Sequence, residues 1–84
     1  MMQPEYHVRL PYWSADPENP GWRHRYVHMF ECFSSGDVKY LTTHHTEWAV
    51  SLPEPVAEWL CGKLQELGVV AELEEAEKKG GKNE

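Results

Sequence analysis

Residues 38–52 read VKYLTTHHTEWAVSL, and the fold turns on how that stretch is taken. Its even positions hold Val38, Tyr40, Thr42, His44, Thr46, Trp48, Val50 and Leu52. Its odd positions hold Lys39, Leu41, Thr43, His45, Glu47, Ala49 and Ser51. β-Branched and aromatic residues at every second position mark a half-buried strand, whereas a helix would scatter them round its axis. The stretch therefore reads as one long strand, or two collinear ones broken near His44 and His45, with a core face and a wet face.

Two strands precede it. Residues 6–12 put Tyr6, Val8, Leu10 and Tyr12 on one face and His7 and Arg9 on the other. Pro11 has no donor for a ladder, so this is an edge strand or one that ends nearby. Residues 14–21, SADPENPG, are a loop made of turn formers. Residues 22–33, WRHRYVHMFECF, again place large side chains at even positions: Trp22, Tyr26, Phe30 and Cys32. A three-residue loop, Ser34-Ser35-Gly36, then pairs Phe33 with Asp37 and leaves glycine where a left-handed residue is wanted. That register joins Trp22, Tyr26, Phe30 and Cys32 to Val38, Tyr40, Trp48 and Val50 on one face. A one-residue slip would split the set between core and water.

A helix follows. Ser51 with Glu54 matches a capping box, Val50 and Pro55 form its staple, and Pro53 and Pro55 fall where no intrahelical donor is lost. At about 100° per residue, Val56, Leu60, Leu64 and Leu67 share an arc of roughly 80°, extended by Ala57 and Cys61. Glu54, Glu58, Gly62, Gln65 and Glu66 take the opposite side, with Trp59 at the arc's edge beside Glu66. Gly68 is the expected stop. Residues 69–73 alternate briefly and read as a fourth strand, the alternative being a helix resumed through Glu77. The expected fold class is α+β, a two-layer domain of β-β-β-α order with a short β4. One helix packs on one face of a three- to four-stranded, mainly antiparallel sheet. The domain is expected to span 1–73, with 74–84 a polar, flexible tail.

Eighty-four residues fit one domain with a small core, enlarged by four Trp, four Tyr and two Phe. A charged fraction of 26% is that of a globular chain rather than a membrane-embedded or wholly disordered one. MMQPEYHVRL has no apolar run, so neither signal peptide nor membrane span is expected. Cys32 and Cys61 fit neither a CxxC nor a zinc-finger spacing, which points to reduced thiols in a cytoplasmic protein.

Chemistry-bearing patterns are few. Cys61 lies on the apolar helix arc and Cys32 on the core face, with no glycine-rich elbow or phosphate loop beside either. No catalytic residue, cofactor or enzymatic activity is expected. His24, His28 and His44 become diagonal neighbours in the chosen register, roughly 7–8 Å apart at the backbone, but no acid or thiol of that face completes a tetrahedral set. A metal site at these histidines is the alternative reading, not the expected one. Arg23 and Arg25 point from the wet face with Lys39, Met29, Phe33 and Leu41. Trp22 and Tyr26 point the other way, so cations and stacking rings are separated and direct nucleic-acid binding is not expected. A nucleic-acid-binding or protein-docking role for the Arg23/Arg25 face is a further alternative.

Charge is the remaining signal. The net charge of −6 is placed unevenly, −1 over residues 1–42 and −5 over 43–84. Seven glutamates stand between Glu54 and Glu77 against one lysine, Lys63. Carboxylates spaced along a rigid surface offer Lys and Arg clusters what phosphates offer. The expected contact set is Glu54, Glu58, Glu66, Glu72, Glu74 and Glu75, with Trp59 as its aromatic anchor. The bland alternative is a solvated helix side and an acidic tail. In size, acidity, lack of catalytic motifs and single α+β domain, the chain resembles the small acidic inhibitors that phages encode against bacterial defences, anti-CRISPR proteins among them. That resemblance implies a non-enzymatic inhibitor that blocks a basic, nucleic-acid-binding site on a partner protein, with partial DNA mimicry.

Overall fold

The computed structural model describes residues 3–76. In chain order they form β1 (Glu5–Ser14), β2 (Gly21–Cys32), β3 (Val38–Thr43), a 3₁₀ turn (Thr46–Trp48), β4 (Leu52–Pro53), α1 (Glu54–Glu66) and β5 (Glu72–Glu75). β1 lies at the centre. Arg9 is opposite both Tyr26 of β2 and Glu72 of β5, so those two strands flank it on opposite edges. Tyr6 is opposite both Leu52 of β4 and Glu75 of β5. β4 therefore takes over the edge that β2 leaves. Every pairing is antiparallel. The expected α+β class stands, as a curled antiparallel sheet with one helix.

The hairpin loop is the three-residue one. Phe33 N–H donates to the Asp37 carbonyl and Gly36 N–H to the Phe33 carbonyl, both at 2.9 Å, with Gly36 at φ +95°. From there Cys32 pairs with Val38, Phe30 with Tyr40 and Met29 with Leu41. The register then shifts across His28, and Val27 pairs with Thr42. One extra residue in a strand is a β-bulge, and it reverses which parity faces which side. Phe30, Val38 and Tyr40 pack on the helix side, but so does Val27, an odd residue that is fully buried. Trp22, His24 and Tyr26 are turned to the opposite, open face. The single apolar face expected of Trp22, Tyr26, Phe30 and Cys32 is thus cut in two at His28.

The expected strand over 38–52 is also shorter. β3 ends at Thr43, and the chain turns back through the 3₁₀ segment into the gap beside the bulge. Val50 N–H donates to the Val27 carbonyl at 3.0 Å before Leu52 reaches β1. Ala49 is buried there, while Trp48, placed in the core by alternation, is 61% exposed.

α1 begins differently from the capping box. Pro53 is the N-cap and no side chain caps the helix; Ser51 Oγ instead lies 3.3 Å from His7 Nε2. The C-terminus is a Schellman motif: Val69 N–H donates to Leu64 O and Gly68 N–H to Gln65 O, with Gly68 at φ +86°. The buried stripe is Ala57, Leu60, Cys61 and Leu64. It is rotated from the expected arc, so Val56 and Leu67 fall on an exposed flank. Val8, Leu10, Val27, Leu52 and Ala71 complete the core.

α1 contacts β1, β4 and β5. The β2–β3 hairpin extends beyond it, and the domain measures 44 × 39 × 15 Å. The fourth strand expected over 69–73 lies instead at Glu72–Glu75. Glu74 and Glu75, assigned to a tail from the sequence, are therefore part of the sheet, and residues 77–84 of that tail lie outside the described residues. No described helix is long and apolar enough to cross a membrane.

Candidate functional site

The acidic residues expected to act together fall into three groups. β5 pairing puts Glu72 and Glu74 on the open face, and Arg9 lies between them. Its guanidinium makes 3.0 Å ion pairs with Glu72 Oε2 and Glu74 Oε1. The Tyr26 hydroxyl donates to Glu74 Oε1 at 3.2 Å, and burial followed by that carboxylate pushes the phenol pKa up. Glu72 and Glu74 thus share one cation within the fold, which offsets part of their charge.

Glu54, Glu58 and Glu75 form the second group. They converge on the Tyr6 phenol, whose pKa is raised first by Glu54, then by burial, Glu75 and Glu58. None of the three has an ion-pair partner among the described residues. They lie on the β5 side of α1, the same flank from which Gln65 Nε2 donates to the Ala71 carbonyl at 3.0 Å. Glu66 and Trp59 make the third group, on the outer helix surface, roughly 150–170° from the centre of the buried stripe at 100° per residue. Trp59 is 45% exposed and Lys63 Nζ is 3.8 Å from Glu66. The members of the expected set without an ion-pair partner among the described residues are Glu54, Glu58 and Glu75 on one flank, with Trp59 on the neighbouring helix surface.

The histidines do not converge as expected. The bulge puts Thr43, not His44, opposite Tyr26. His28 Nδ1 lies 2.6 Å from the Trp48 carbonyl, His44 Nε2 is 3.1 Å from the Tyr12 hydroxyl, and His24 packs edge-on against Tyr26. No three His, Cys, Asp or Glu side chains among the described residues are grouped to hold a metal.

A recess of about 300 Å³ under the 3₁₀ turn is lined by His7, Ser51, Glu47 and Glu74 among others. The recess is not legible in the sequence, because His7 and Ser51 are 44 positions apart and meet only when β4 joins β1. Burial holds the His7 imidazole below its ordinary pKa, partly offset by Glu74. A serine 3.3 Å from a histidine is the first link of a nucleophilic relay. The second link is missing, since Glu74 directs its hydrogen bonds to Arg9 and Tyr26.

The basic residues also rearrange. Arg23 and Arg25 turn to the helix side of the sheet, away from Met29, Leu41, Lys39 and Phe33 on the open face. Tyr12 of β1 joins them, with the Arg25 guanidinium 5.0 Å from its ring centroid. Trp22 and Tyr26 do point away from the arginines as expected, but a different ring, Tyr12, shares their face. The signal that could have revealed this is Val27, the one aliphatic β-branched residue of 22–33, at an odd position in a stretch whose large residues are even. No family model, curated protein or solved structure matches this chain.

Proposed function

We propose that this chain is a non-enzymatic binding protein. In this reading the acidic flank of α1 occupies a basic, nucleic-acid-binding site on a partner protein, as a phage inhibitor of the anti-CRISPR kind would. One observation carries it. Glu54, Glu58 and Glu75 crowd one tyrosine and none of them has an ion-pair partner among the described residues, while Glu72 and Glu74 share one arginine. Three like charges held together by a helix and a strand repel one another in the free protein. Lys and Arg groups of a partner would relieve that repulsion and speed encounter in a salt-sensitive way. Trp59 on the adjacent helix surface supplies apolar area for an anchor.

The test is affinity capture from a bacterial lysate at low and high salt, wild type beside Glu54→Lys/Glu58→Lys. Both positions are exposed and the substitutions reduce repulsion around Tyr6, so the variant keeps its fold. The expected result is a basic nucleic-acid-binding protein recovered by wild type at low salt and lost by the variant. Equal recovery of that protein by both, independent of salt, would remove the acidic flank from the interface.

A further inference from the structure

We propose that the end of the sheet remote from α1 contacts single-stranded nucleic acid through Tyr12, Arg23, Arg25 and His44. This site is separate from the acidic flank and does not depend on it. Tyr12 pairs with Arg23 and Leu10 with Arg25, which puts Tyr12, Arg23 and Arg25 on one face. The Arg25 guanidinium stacks 5.0 Å from the Tyr12 ring centroid. The Tyr12 hydroxyl is 3.1 Å from His44 Nε2, and Arg23 donates to the Asn19 carbonyl. Groups from two strands and two loops thus hold one another in place.

Charge selects the ligand. Arg9 is paired with two carboxylates, whereas Arg23 and Arg25 have none among the described residues. The nearby Asp16 carboxylate accepts the Glu18 backbone N–H within its own loop. Two unneutralised guanidiniums side by side in a chain of net charge −6 call for an anionic ligand. Two residues along a strand separate them by about 7 Å, which suits two phosphates of one extended backbone. The exposed Arg25 guanidinium, backed by the Tyr12 ring, offers a stacking plane that every base can use and that a duplex, with its bases already stacked, cannot. Single-stranded nucleic acid fits cation and ring together; a phosphopeptide uses the cations alone. Repulsion from Glu54, Glu58 and Glu75 confines the ligand to this end of the sheet.

Fluorescence anisotropy with a short labelled oligothymidylate at low salt tests the proposal. Saturable binding is expected, weakening with salt. Arg23→Gln and Arg25→Gln should each lower affinity and reduce the salt slope by about one. Tyr12→Leu keeps both charges, and should still lower affinity about fivefold or more through lost stacking. Glu54→Lys/Glu58→Lys should bind at least as well as wild type, which separates this site from the acidic flank. Absence of binding at low salt overturns the proposal, as does unchanged affinity in both arginine variants. Inorganic polyphosphate that competes on equal terms, with Tyr12→Leu unaffected, would show a bare polyanion patch and overturn the nucleic-acid assignment. So would a phosphopeptide that binds where the oligonucleotide does not. Circular dichroism of each variant confirms that the fold is retained.

Discussion

His28 donates from Nδ1 to the carbonyl oxygen of Trp48 across 2.6 Å. His28 is the residue at which the β2–β3 register shifts, so the bond ties the bulge to the chain returning from β3. Together with the Val50–Val27 backbone bond it closes the gap that opens as β2 diverges from β1. Sequence, bulge and topology meet at this one side chain.

His28→Ala should therefore cost about 1 kcal/mol of stability, the usual worth of such a bond, although His28 itself is exposed. His28→Asn keeps a donor near the same place and should recover part of the loss. Urea denaturation followed by tryptophan fluorescence measures both. An alanine variant as stable as wild type would mean that the returning segment is held by its backbone bond alone.

Leu60 and Leu67 looked equivalent as members of one apolar arc. Leu60 is fully buried, whereas Leu67 is 58% exposed. Leu60→Ala should cost about 2–5 kcal/mol, a large share of the stability of so small a domain. Leu67→Ala should stay within about 0.5 kcal/mol. Thermal melts of the two variants decide whether the buried stripe is centred on Ala57, Leu60, Cys61 and Leu64.

The fold class, the three-residue hairpin loop and the Gly68 stop were legible because each depends on a local signal. Gly36 and Gly68 both adopt the positive φ their places imply. Part of what escaped was set by one unpaired residue. Only the odd position of Val27 hints at a parity change in WRHRYVHMFECF, nothing marks His28 itself, and a single insertion reverses the face of every residue on its other side. Without that insertion Arg23 and Arg25 fall on the open face and His44 opposite Tyr26, whereas Trp48 leaves the core because β3 ends at Thr43 and the chain turns through the 3₁₀ segment. The acidic set was legible as charge but not as geometry. Arg9 lies 63 positions from Glu72, and only the β1–β5 pairing shows which glutamates it pairs with.

Arg9→Met keeps the aliphatic stem and removes the charge. Glu72 and Glu74 would then face each other and Tyr26 without a cation. These groups are partly exposed, so screening limits the cost to about 1–2 kcal/mol. The loss should shrink in high salt, where carboxylate repulsion fades. A deficit that does not change with salt would mean that the guanidinium acts through packing rather than charge.

Cys32 is exposed and Cys61 is buried among the helix core residues. Burial, and then Glu72, raise the Cys61 thiol pKa, which lowers its thiolate fraction as well as its access. A disulfide reagent should therefore modify Cys32 in the native protein and reach Cys61 only on unfolding. Cys32→Ser should abolish the native reaction and leave the denatured one. Rapid labelling of Cys61 in the folded chain would show that α1 opens from the sheet far more often than its Schellman stop and core contacts imply.

His7 makes the domain sensitive to acid. Its imidazole is buried, and desolvation holds its folded pKa below the ordinary value despite the opposing pull of Glu74. The unfolded chain takes up a proton at this residue near pH 6.5, about the value for a free histidine. Below that pH the unfolded state binds more protons than the folded one, so stability must fall as pH falls. The effect of one group is limited to about 1.4 kcal/mol per pH unit, and it ends once the folded imidazole also protonates. Above pH 7 both states are neutral at this site and the contribution is flat. His7→Gln cannot titrate and retains hydrogen-bonding capacity toward Ser51, so its stability curve should be shallower than wild type as pH falls below about 6.5. Urea midpoints measured across that range separate the two. Parallel curves for wild type and His7→Gln would show that the folded imidazole protonates as readily as the unfolded one, and that the recess beneath the 3₁₀ turn admits water to it.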